Sequence, residues 1–306
     1  MALPIYASAL ERAWYYAFRG LCAAIFLFLI APILVVIPLS FNAEAFFTFT
    51  AKMLHFDPAG YSTKWYDLLL TFPDVPTNTP RDATWWGIVW RKAAWIGAAK
   101  NSIIVGFFAT LLATGLGTLA ALGLSRPEMP FRKAIMAILI SPMIVPVIIV
   151  TLGLFFFYSD IGINKWGVPY LGVILAHATL GIPFVIITVT ATLLGFDHSL
   201  TRASASLGAS PTTTFFKVIM PLITPGMVSG ALFAFVSSFD EVVVVLFVGR
   251  NDEQTIPRQM WNGIREAISP AILAVATILV VISIGLLATV EMLRRRSERL
   301  RGVTPA

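Results

Sequence analysis

Residues 197–221 read DHSLTRASASLGASPTTTFFKVIMP, and this stretch predicts two short helices separated by a tight turn. Ser199 is a plausible N-cap for the first helix, and Gly208 is expected to end it in the left-handed conformation that glycine tolerates. Ser210 is the next plausible N-cap, with Pro211 at the first helical position, where a missing N–H breaks no hydrogen bond. The stretch is therefore expected to form a rigid projection rather than a solvated linker.

Long apolar runs lie on both sides of this stretch and along the rest of the chain. Of the 306 residues, 58% are hydrophobic and 12% are charged, and this charged fraction is about half that of an ordinary soluble domain. A transmembrane helix needs about 20 mostly apolar residues, and six intervals meet this requirement. We predict an all-α integral membrane protein with six spans, at about residues 20–41, 101–125, 134–158, 171–195, 218–248 and 267–291.

The positions of the basic residues predict how this six-helix domain, residues 20–292, is oriented. If the N-terminal segment 1–19 is cytoplasmic, the inside segments carry twelve Lys and Arg, including those of the tail 293–306. The two short outside loops carry four. Cytoplasmic loops hold the excess of basic residues in membrane proteins, so both termini are predicted inside. The projection, residues 197–217, then lies in the cytoplasm, and the long loop 44–100 lies outside.

The long loop 44–100 contains five of the eight tryptophans of the chain. Indole rings prefer the boundary between membrane and water, because the ring is apolar while its N–H needs a partner. One interpretation is a loop folded along the outer membrane surface, with one or two interfacial helices. The other is a docking surface for an extracytoplasmic partner. The tryptophans in question are Trp65, Trp85, Trp86, Trp90 and Trp95.

The sequence patterns of several chemistries are absent. The chain has no G-x-x-x-x-G-K-[ST] phosphate loop and neither a G-x-S-x-G nor an H-E-x-x-H hydrolase motif. Its three histidines lie far apart, and Cys22 is the single cysteine, so neither a metal site nor a disulfide is expected. Its net charge of +6 is explained by membrane orientation, so no nucleic acid is expected as a partner. We predict no catalytic, cofactor-binding or metal-binding residues.

The projection resembles the signature of the membrane subunits of ABC importers, E-A-A-x-x-x-G-x(9)-I-x-L-P. The wording L-G-A-S-P at residues 207–211 also resembles that family. One departure is the leading acid, which is Arg202 here. Either the contact of that acid is absent in this chain, or the ATPase partner carries a complementary acid. The residues that stand at the signature positions are Arg202, Ala203, Ser204, Gly208, Val218, Met220 and Pro221.

This resemblance implies a type I ABC importer permease fold, in which the short helix of the projection lodges in a groove of a cytoplasmic ATPase subunit. It implies two ATPase subunits that bind ATP with Mg²⁺, because this chain has no nucleotide-binding motif of its own. It also implies a second permease subunit, either a different chain or a second copy, and a periplasmic substrate-binding protein. The expected location is the bacterial inner membrane, in contact with lipid.

Within that family, the chain is similar over most of its length to the spermidine/putrescine-type permeases. The similar pieces are scattered along the chain. The resemblance implies a polyamine as cargo. The same short motifs occur in relatives that carry opines, aminophosphonates or ferric iron, and these cargoes remain alternatives. The pieces are Trp65-Tyr66, Lys100-Asn101-Ser102, Ser238-Phe239-Asp240-Glu241, Thr255-Ile256-Pro257 and Ser269-Pro270.

Two adjacent acids, Asp240 and Glu241, follow the uncharged run 218–239 of the fifth span. At about 1.5 Å of rise per residue, a continuous helix places Asp240 about 30 Å along, near the outer end. An acid at membrane depth is costly and is expected to face a bundle interior or water. One acid is expected to face the translocation path, while the other contacts a partner subunit or caps a broken helix. A purely structural role for both is the alternative.

Small residues and prolines within the spans predict close packing and bends. Gly226 and Gly230 have the four-residue spacing that allows two helices to approach closely. A proline removes one helix hydrogen bond and favours a kink, which serves packing or gating. Prolines that interrupt the predicted spans in this way include Pro142, Pro146, Pro183 and Pro225.

Two other classes of function are weighed against an ABC importer. A secondary transporter driven by an ion gradient needs ion-coupling groups at mid-membrane, and the central stretches of the spans carry no charge. That class also predicts paired halves with interrupted helices, which the sequence does not indicate. A membrane enzyme or assembly factor is disfavoured because the catalytic motifs are absent.

Overall fold

A computed structural model gives the structure of the chain and describes residues 8–126, 128–197, 199–266 and 269–300. Apart from one isolated β-bridge between Asn42 and Tyr61, the regular structure of these residues is helical, as predicted. The helices are α1 Ala9–Leu39, α2 Ala51–Leu54, α3 Lys64–Thr71, α4 Ala83–Lys92, α5 Ala94–Leu124, α6 Arg132–Ile144, α7 Val147–Asp160, α8 Leu171–Leu194, α9 Ser199–Ser206, α10 Pro211–Thr214, α11 Met220–Asp240, α12 Val243–Phe247, α13 Ile256–Glu266 and α14 Ala271–Leu300.

The chain divides into two compact units, one formed by Met1–Asn78 with Gly263–Ala306 and the other by Thr79–Asn262. In the first unit, α14 contacts α1 and α3. The start of the long outside loop is folded around Asn42, whose side-chain amide donates to the carbonyls of Phe46 at 2.9 Å and Thr48 at 3.0 Å. Trp65 Nε1 donates to the Asn42 carbonyl at 2.7 Å, and the Tyr66 hydroxyl lies 2.7 Å from Ser40 Oγ. The Trp65-Tyr66 pair therefore holds this loop against the end of α1.

In the second unit, α5, α8 and α11 pack against one another and enclose the apolar core. Small residues allow α11 to approach α8 closely. A Cβ added at Gly226 would lie 2.2 Å from Thr192 Oγ1, and one added at Gly230 would lie 2.8 Å from Val185 Cα. The close packing predicted from Gly226 and Gly230 is therefore confirmed.

The third predicted span, 134–158, is not one continuous helix. It is divided into α6 and α7, which meet at a bend of 103°. Pro146 has no N–H to continue the hydrogen-bond ladder, and a residue before proline favours extended backbone. Val145 has φ −73° and ψ 138°, so the proline accounts for the break.

The fifth predicted span, 218–248, is also interrupted. α11 ends at Asp240, Glu241 is extended with φ −78° and ψ 122°, and the short α12 begins at Val243. Interrupted helices, which the sequence does not indicate as a general pattern, thus occur at two places, 145–146 and 241–242, the first at a predicted proline bend and the second at the acid pair, for which a cap on a broken helix is one of the expected roles.

The remaining span boundaries differ less from the prediction. α1 begins before residue 20 and α5 before residue 101, and the loop 44–100 contains three helices of its own. Four helices are long and apolar enough to cross a membrane, and the bent pair α6 and α7 makes a fifth if it forms one span. The last predicted span corresponds to α14, whose apolar part is the shorter stretch Ala271–Gly285. Six spans and an inside N-terminus remain predictions, and residues 267–268 and 301–306 of the predicted last span and tail lie outside the described residues.

Candidate functional site

The projection between α8 and α11 contains a tight turn at Gly208. Gly208 has φ +79°, the left-handed conformation expected from the sequence. Its N–H donates to the Ala205 carbonyl at 2.9 Å, and the Ala209 N–H donates to the Ser204 carbonyl at 3.1 Å. This pair of hydrogen bonds is the Schellman arrangement that satisfies the last carbonyls of a helix. The turn between α9 and α10 is therefore fully hydrogen-bonded.

Side-chain contacts hold the two helices of the projection together. Ser204 Oγ of α9 lies 2.8 Å from Thr214 Oγ1 of α10. Ser210 caps α10, because its hydroxyl accepts from the Thr213 N–H at 3.2 Å. Ser199, in contrast, is the first residue of α9 and not its cap. Asp197 supplies the acceptors at that end, taking the Ser199 N–H at 2.8 Å and the Ser199 hydroxyl at 2.7 Å.

The outer surface of the projection combines a basic and an apolar side chain. Arg202 and Ala203 are exposed, and Leu207, immediately before the turn, is 88% exposed. A single exposed leucine is common on protein surfaces, but this one stands beside a hydrogen-bonded turn that fixes its position. Ser204, which stands where relatives carry a second alanine, is half-buried because its hydroxyl meets Thr214.

The later signature residues lie where the projection joins the fifth span. Helical structure continues from Pro211 to Asp240, with a π-helical stretch at Phe215–Ile219. Pro221 has no N–H, and in a regular α-helix its ring would clash with the Lys217 carbonyl. The wider turn just before it relieves this clash. Val218 and Met220 are half-buried around this turn, so the signature marks a local change in helix geometry.

The two adjacent acids have different environments. The Glu241 carboxylate accepts from the backbone N–H of Val243 at 2.6 Å and of Val244 at 3.2 Å. Glu241 therefore caps α12, which is the broken-helix role considered from the sequence. Asp240 is exposed, and its carboxylate has no hydrogen-bond or ion-pair partner among the described residues. It lies on the exposed face of α11 with Val236, opposite the buried face that includes Ser238.

A buried histidine lies beside this segment. His177 of α8 is 2% exposed, and its Nδ1 lies 2.7 Å from Ser238 Oγ of α11. This contact is buried, and a buried polar pair favours one relative placement of two helices. Ser238 belongs to the motif Ser238-Phe239-Asp240-Glu241, which resembles related permeases, and it joins α11 to α8.

A polar cluster lies at the N-terminal ends of α5 and α8, formed by Asn101, Ser102, Tyr170 and Glu253. The Asn101 amide donates to the carbonyls of Asp252 at 3.0 Å and of Gln254 at 2.9 Å. The Tyr170 hydroxyl donates to Asn101 Oδ1 at 2.9 Å, while the Tyr170 N–H donates to the Glu253 carboxylate at 2.8 Å. We call this set the polar cluster.

The polar cluster ties the loop before α13 to the rest of the unit. Ser102 Oγ accepts from the Ile256 N–H at 2.8 Å. This hydrogen bond joins two of the short motifs that resemble related permeases, Lys100-Asn101-Ser102 and Thr255-Ile256-Pro257. Burial raises the pKa of Tyr170, and the nearby Glu253 and Asp252 act in the same direction. The Tyr170 hydroxyl thus stays protonated and available as a donor.

Asn101→Ala is expected to destabilise the chain, because two part-buried hydrogen bonds to loop carbonyls and one from a tyrosine hydroxyl would be lost. The expected loss is about 2 kcal/mol of unfolding free energy, typical of leaving buried polar groups unpaired. Thermal unfolding of the detergent-solubilised protein measures it. Asn251→Ala is a matched control, because Asn251 is exposed in the same loop. An unchanged midpoint in Asn101→Ala would contradict a stabilising role for the cluster.

Among the described residues, no group of three or more His, Cys, Asp or Glu side chains is placed to hold a metal ion. The site residues named from the sequence thus fall into two separate regions. One is the projection at residues 197–221, and the other is the break after Asp240.

Comparison with known proteins identifies the class. A family model described as the binding-protein-dependent transport system inner membrane component matches residues 113–299, which include both the projection and the acid pair. The chain belongs to this family. It is accordingly a multi-pass membrane permease component of a transport system with other subunits, and not an enzyme itself.

Particular relatives carry polyamine names. The chain is 29% identical over 274 residues to the spermidine/putrescine transport system permease protein PotC of Haemophilus influenzae, covering 90% of this chain and 95% of that protein. It is 29% identical over 288 residues to the putrescine transport system permease protein PotI of Escherichia coli K12, covering 92% of each.

A solved structure supports the fold. A bacterial ABC transporter involved in the import of the acidic polysaccharide alginate contains a chain that matches with a TM-score of 0.66. The match covers 95% of this chain and 99% of that chain, at 16% sequence identity. The ABC importer permease fold expected from the projection is therefore confirmed.

Proposed function

We propose that this chain is a pore-forming permease subunit of an ATP-driven importer, which moves a small amine-containing solute from a periplasmic binding protein into the cytoplasm. The observation that carries the coupling part is the rigid turn at Gly208, which presents Leu207 at the end of the short helix that also carries the exposed Arg202. A projection that is hydrogen-bonded internally can transmit a displacement from a partner to the membrane helices, whereas a solvated linker cannot. Its exposed leucine supplies the apolar contact that a groove in a partner needs.

The partners follow from this role. A pair of ATPase subunits would bind Mg–ATP and contact the projection on the cytoplasmic side. A second permease subunit, a different chain or a second copy, would complete the pore, and a binding protein would deliver cargo outside. The names of the family and of the relatives support a bacterial inner membrane location.

A polyamine such as putrescine or spermidine is the favoured cargo, and Asp240 is the residue that carries the electrostatic argument. Its carboxylate is exposed and lies at the C-terminal end of α11, the negative end of the helix dipole. Both features attract an ammonium group and repel an anion. The charge of Glu241 is instead directed at the N-terminus of α12. The polyamine names of the relatives point the same way.

The test is uptake into proteoliposomes that hold the complete complex, with binding protein outside and ATP inside. Putrescine, spermidine, an opine, an aminophosphonate and ferric iron would be offered separately. We expect uptake of a polyamine, dependent on both ATP and binding protein. Uptake of a zwitterion alone would overturn the polyamine assignment while keeping the class. Uptake driven by an ion gradient without ATP would favour a secondary transporter, a class whose interrupted helices this chain shares.

A further inference from the structure

The five-residue helix α12 is too short to persist through its own hydrogen bonds. Tertiary packing contributes, since Val244 and Val245 are fully buried and lie in apolar clusters with residues of α7 and α8. The run 242–248 is apolar throughout, so a continuous extension of α11 through it would satisfy the backbone equally well. Something must therefore favour the broken form over the continuous one.

Charged side chains hold both ends of α12. Glu241 caps the N-terminus, and Arg258 from α13 caps the C-terminus. Arg258 Nη1 donates to the carbonyls of Val245 at 3.0 Å, Gly249 at 3.1 Å and Arg250 at 3.0 Å. A carboxylate at the positive end of a helix and a guanidinium at its negative end are each stabilising. In a continuous helix the N–H groups of Val243 and Val244 would donate to main-chain carbonyls four residues earlier, so the Glu241 contacts belong to the broken form, and the Arg258 contacts stabilise the end of α12 in that form.

Gly249 gives the guanidinium room to approach. A Cβ added at Gly249 would lie 2.7 Å from the Val245 carbonyl and 3.2 Å from Arg258 Nη1. Burial lowers the pKa of Arg258, and the nearby Glu253 acts in the opposite direction. Glu253 is 5% exposed in the polar cluster, and its charge favours the charged form of Arg258, whose hydrogen bonds go to the carbonyls at the end of α12.

We propose that Arg258 is a positioning residue for Asp240. By capping α12 it keeps the fifth span broken directly after Asp240, so that this carboxylate stands at the end of α11. Without the cap, α11 continues as one helix through residues 242–248, and Asp240 moves into a helix interior. The link to Asp240 rests on the proposed function, whereas the control of the break does not.

The break is tested by the reactivity of a thiol, in a chain whose single cysteine is removed by Cys22→Ser. Val244→Cys places a reporter at a position that is fully buried in the broken form. Maleimide labelling of the reporter in the assembled complex is expected to rise about tenfold with Arg258→Gln, because the protecting contacts open. Gly249→Ala, whose Cβ would crowd both the Val245 carbonyl and the guanidinium, is expected to do the same.

Two controls separate this effect from misfolding. Arg250→Gln removes a neighbouring cation whose side chain is exposed and pairs with Asp252, and it should leave labelling unchanged. Arg258→Lys keeps a cation with several donors at the end of α12 and should restore protection. Unchanged labelling in both Arg258→Gln and Gly249→Ala would overturn the proposal.

Uptake tests the link to Asp240 through a double-mutant cycle. Arg258→Gln is expected to lower uptake about tenfold alone, but less than about twofold when Asp240→Asn is already present, because the two residues act through one group. Losses that multiply would overturn the link to Asp240 and leave Arg258 a structural cap. If Asp240→Asn alone has no effect on uptake, the proposed cargo path fails, while the labelling result still decides whether Arg258 holds the break.

Discussion

Gly208→Val is expected to abolish transport and the stimulation of ATP hydrolysis that accompanies transport. The amount of membrane-inserted chain should stay unchanged. Gly208 has φ +79°, a conformation that costs an L-residue roughly 1–2 kcal/mol and a β-branched one more. The substituted turn would leave the left-handed region, and the two hydrogen bonds from residues 208 and 209 would break. α9 would then no longer present Leu207 in a fixed direction. Uptake and ATPase activity of the reconstituted complex measure the loss, expected to exceed about 100-fold in uptake because a coupling contact is all-or-none.

Two variants serve as controls for this prediction. Gly208→Asn should retain much of the activity, because asparagine tolerates the left-handed region better than other L-residues. Gly195→Ala changes a glycine with φ −92° at the end of α8, where an alanine meets no strain, and should be silent. Full transport in Gly208→Val would contradict the assignment of the turn as the coupling element.

Asp240→Asn is expected to lower cargo uptake by about 5- to 30-fold, because an attraction of about 1–2 kcal/mol for an ammonium is lost from the path. Glu241→Gln is expected to act on stability instead. The amide oxygen can still accept from the Val243 N–H, but the favourable charge at the α12 N-terminus is lost, at a cost of about 0.5–1 kcal/mol. The two variants should therefore separate, one changing uptake and the other the unfolding midpoint.

The matched control for Asp240→Asn is Asp252→Asn. Asp252 is also exposed, but it pairs with Arg250 at 3.2 Å and its side chain is 69% exposed. Uptake by Asp252→Asn should equal that of the unaltered chain. If neither Asp240→Asn nor Glu241→Gln alters uptake, the pair is structural, and the chemistry of the pore lies in other residues.

The projection could be predicted from the sequence because its determinants are local. Gly208, Ser210 and Pro211 each act on backbone within a few residues, so the turn and the second cap follow from the sequence alone. Ser199 was the exception, because Asp197, two residues earlier, offers a stronger acceptor at the same helix end. The choice between two capping residues two positions apart depends on side-chain geometry that the pattern does not carry.

Interactions between distant residues could not be predicted. The polar cluster joins Asn101 to residues more than 150 positions away, and the cap of α12 comes from Arg258 in a later helix. The two breaks in the spans illustrate the same limit. Pro146 indicates a bend, but the sequence does not give its angle of 103°. The break after Asp240 contains no proline or glycine, and the contacts found around it are the burial of Val244 and Val245 and the hydrogen bonds of Glu241 and Arg258, none of which the local sequence indicates.

Site-specific photocrosslinking at position 207 tests the central claim most directly. Leu207 is 88% exposed at the turn, and a photoreactive phenylalanine analogue at this position would stand where an ATPase subunit is proposed to bind. Asn251, exposed in a loop predicted outside, provides the control position. If the projection docks to the ATPase subunit, we expect a crosslink from position 207 to that subunit and none from position 251. A crosslink to the ATPase from position 251, or none from position 207 in the active complex, would contradict it.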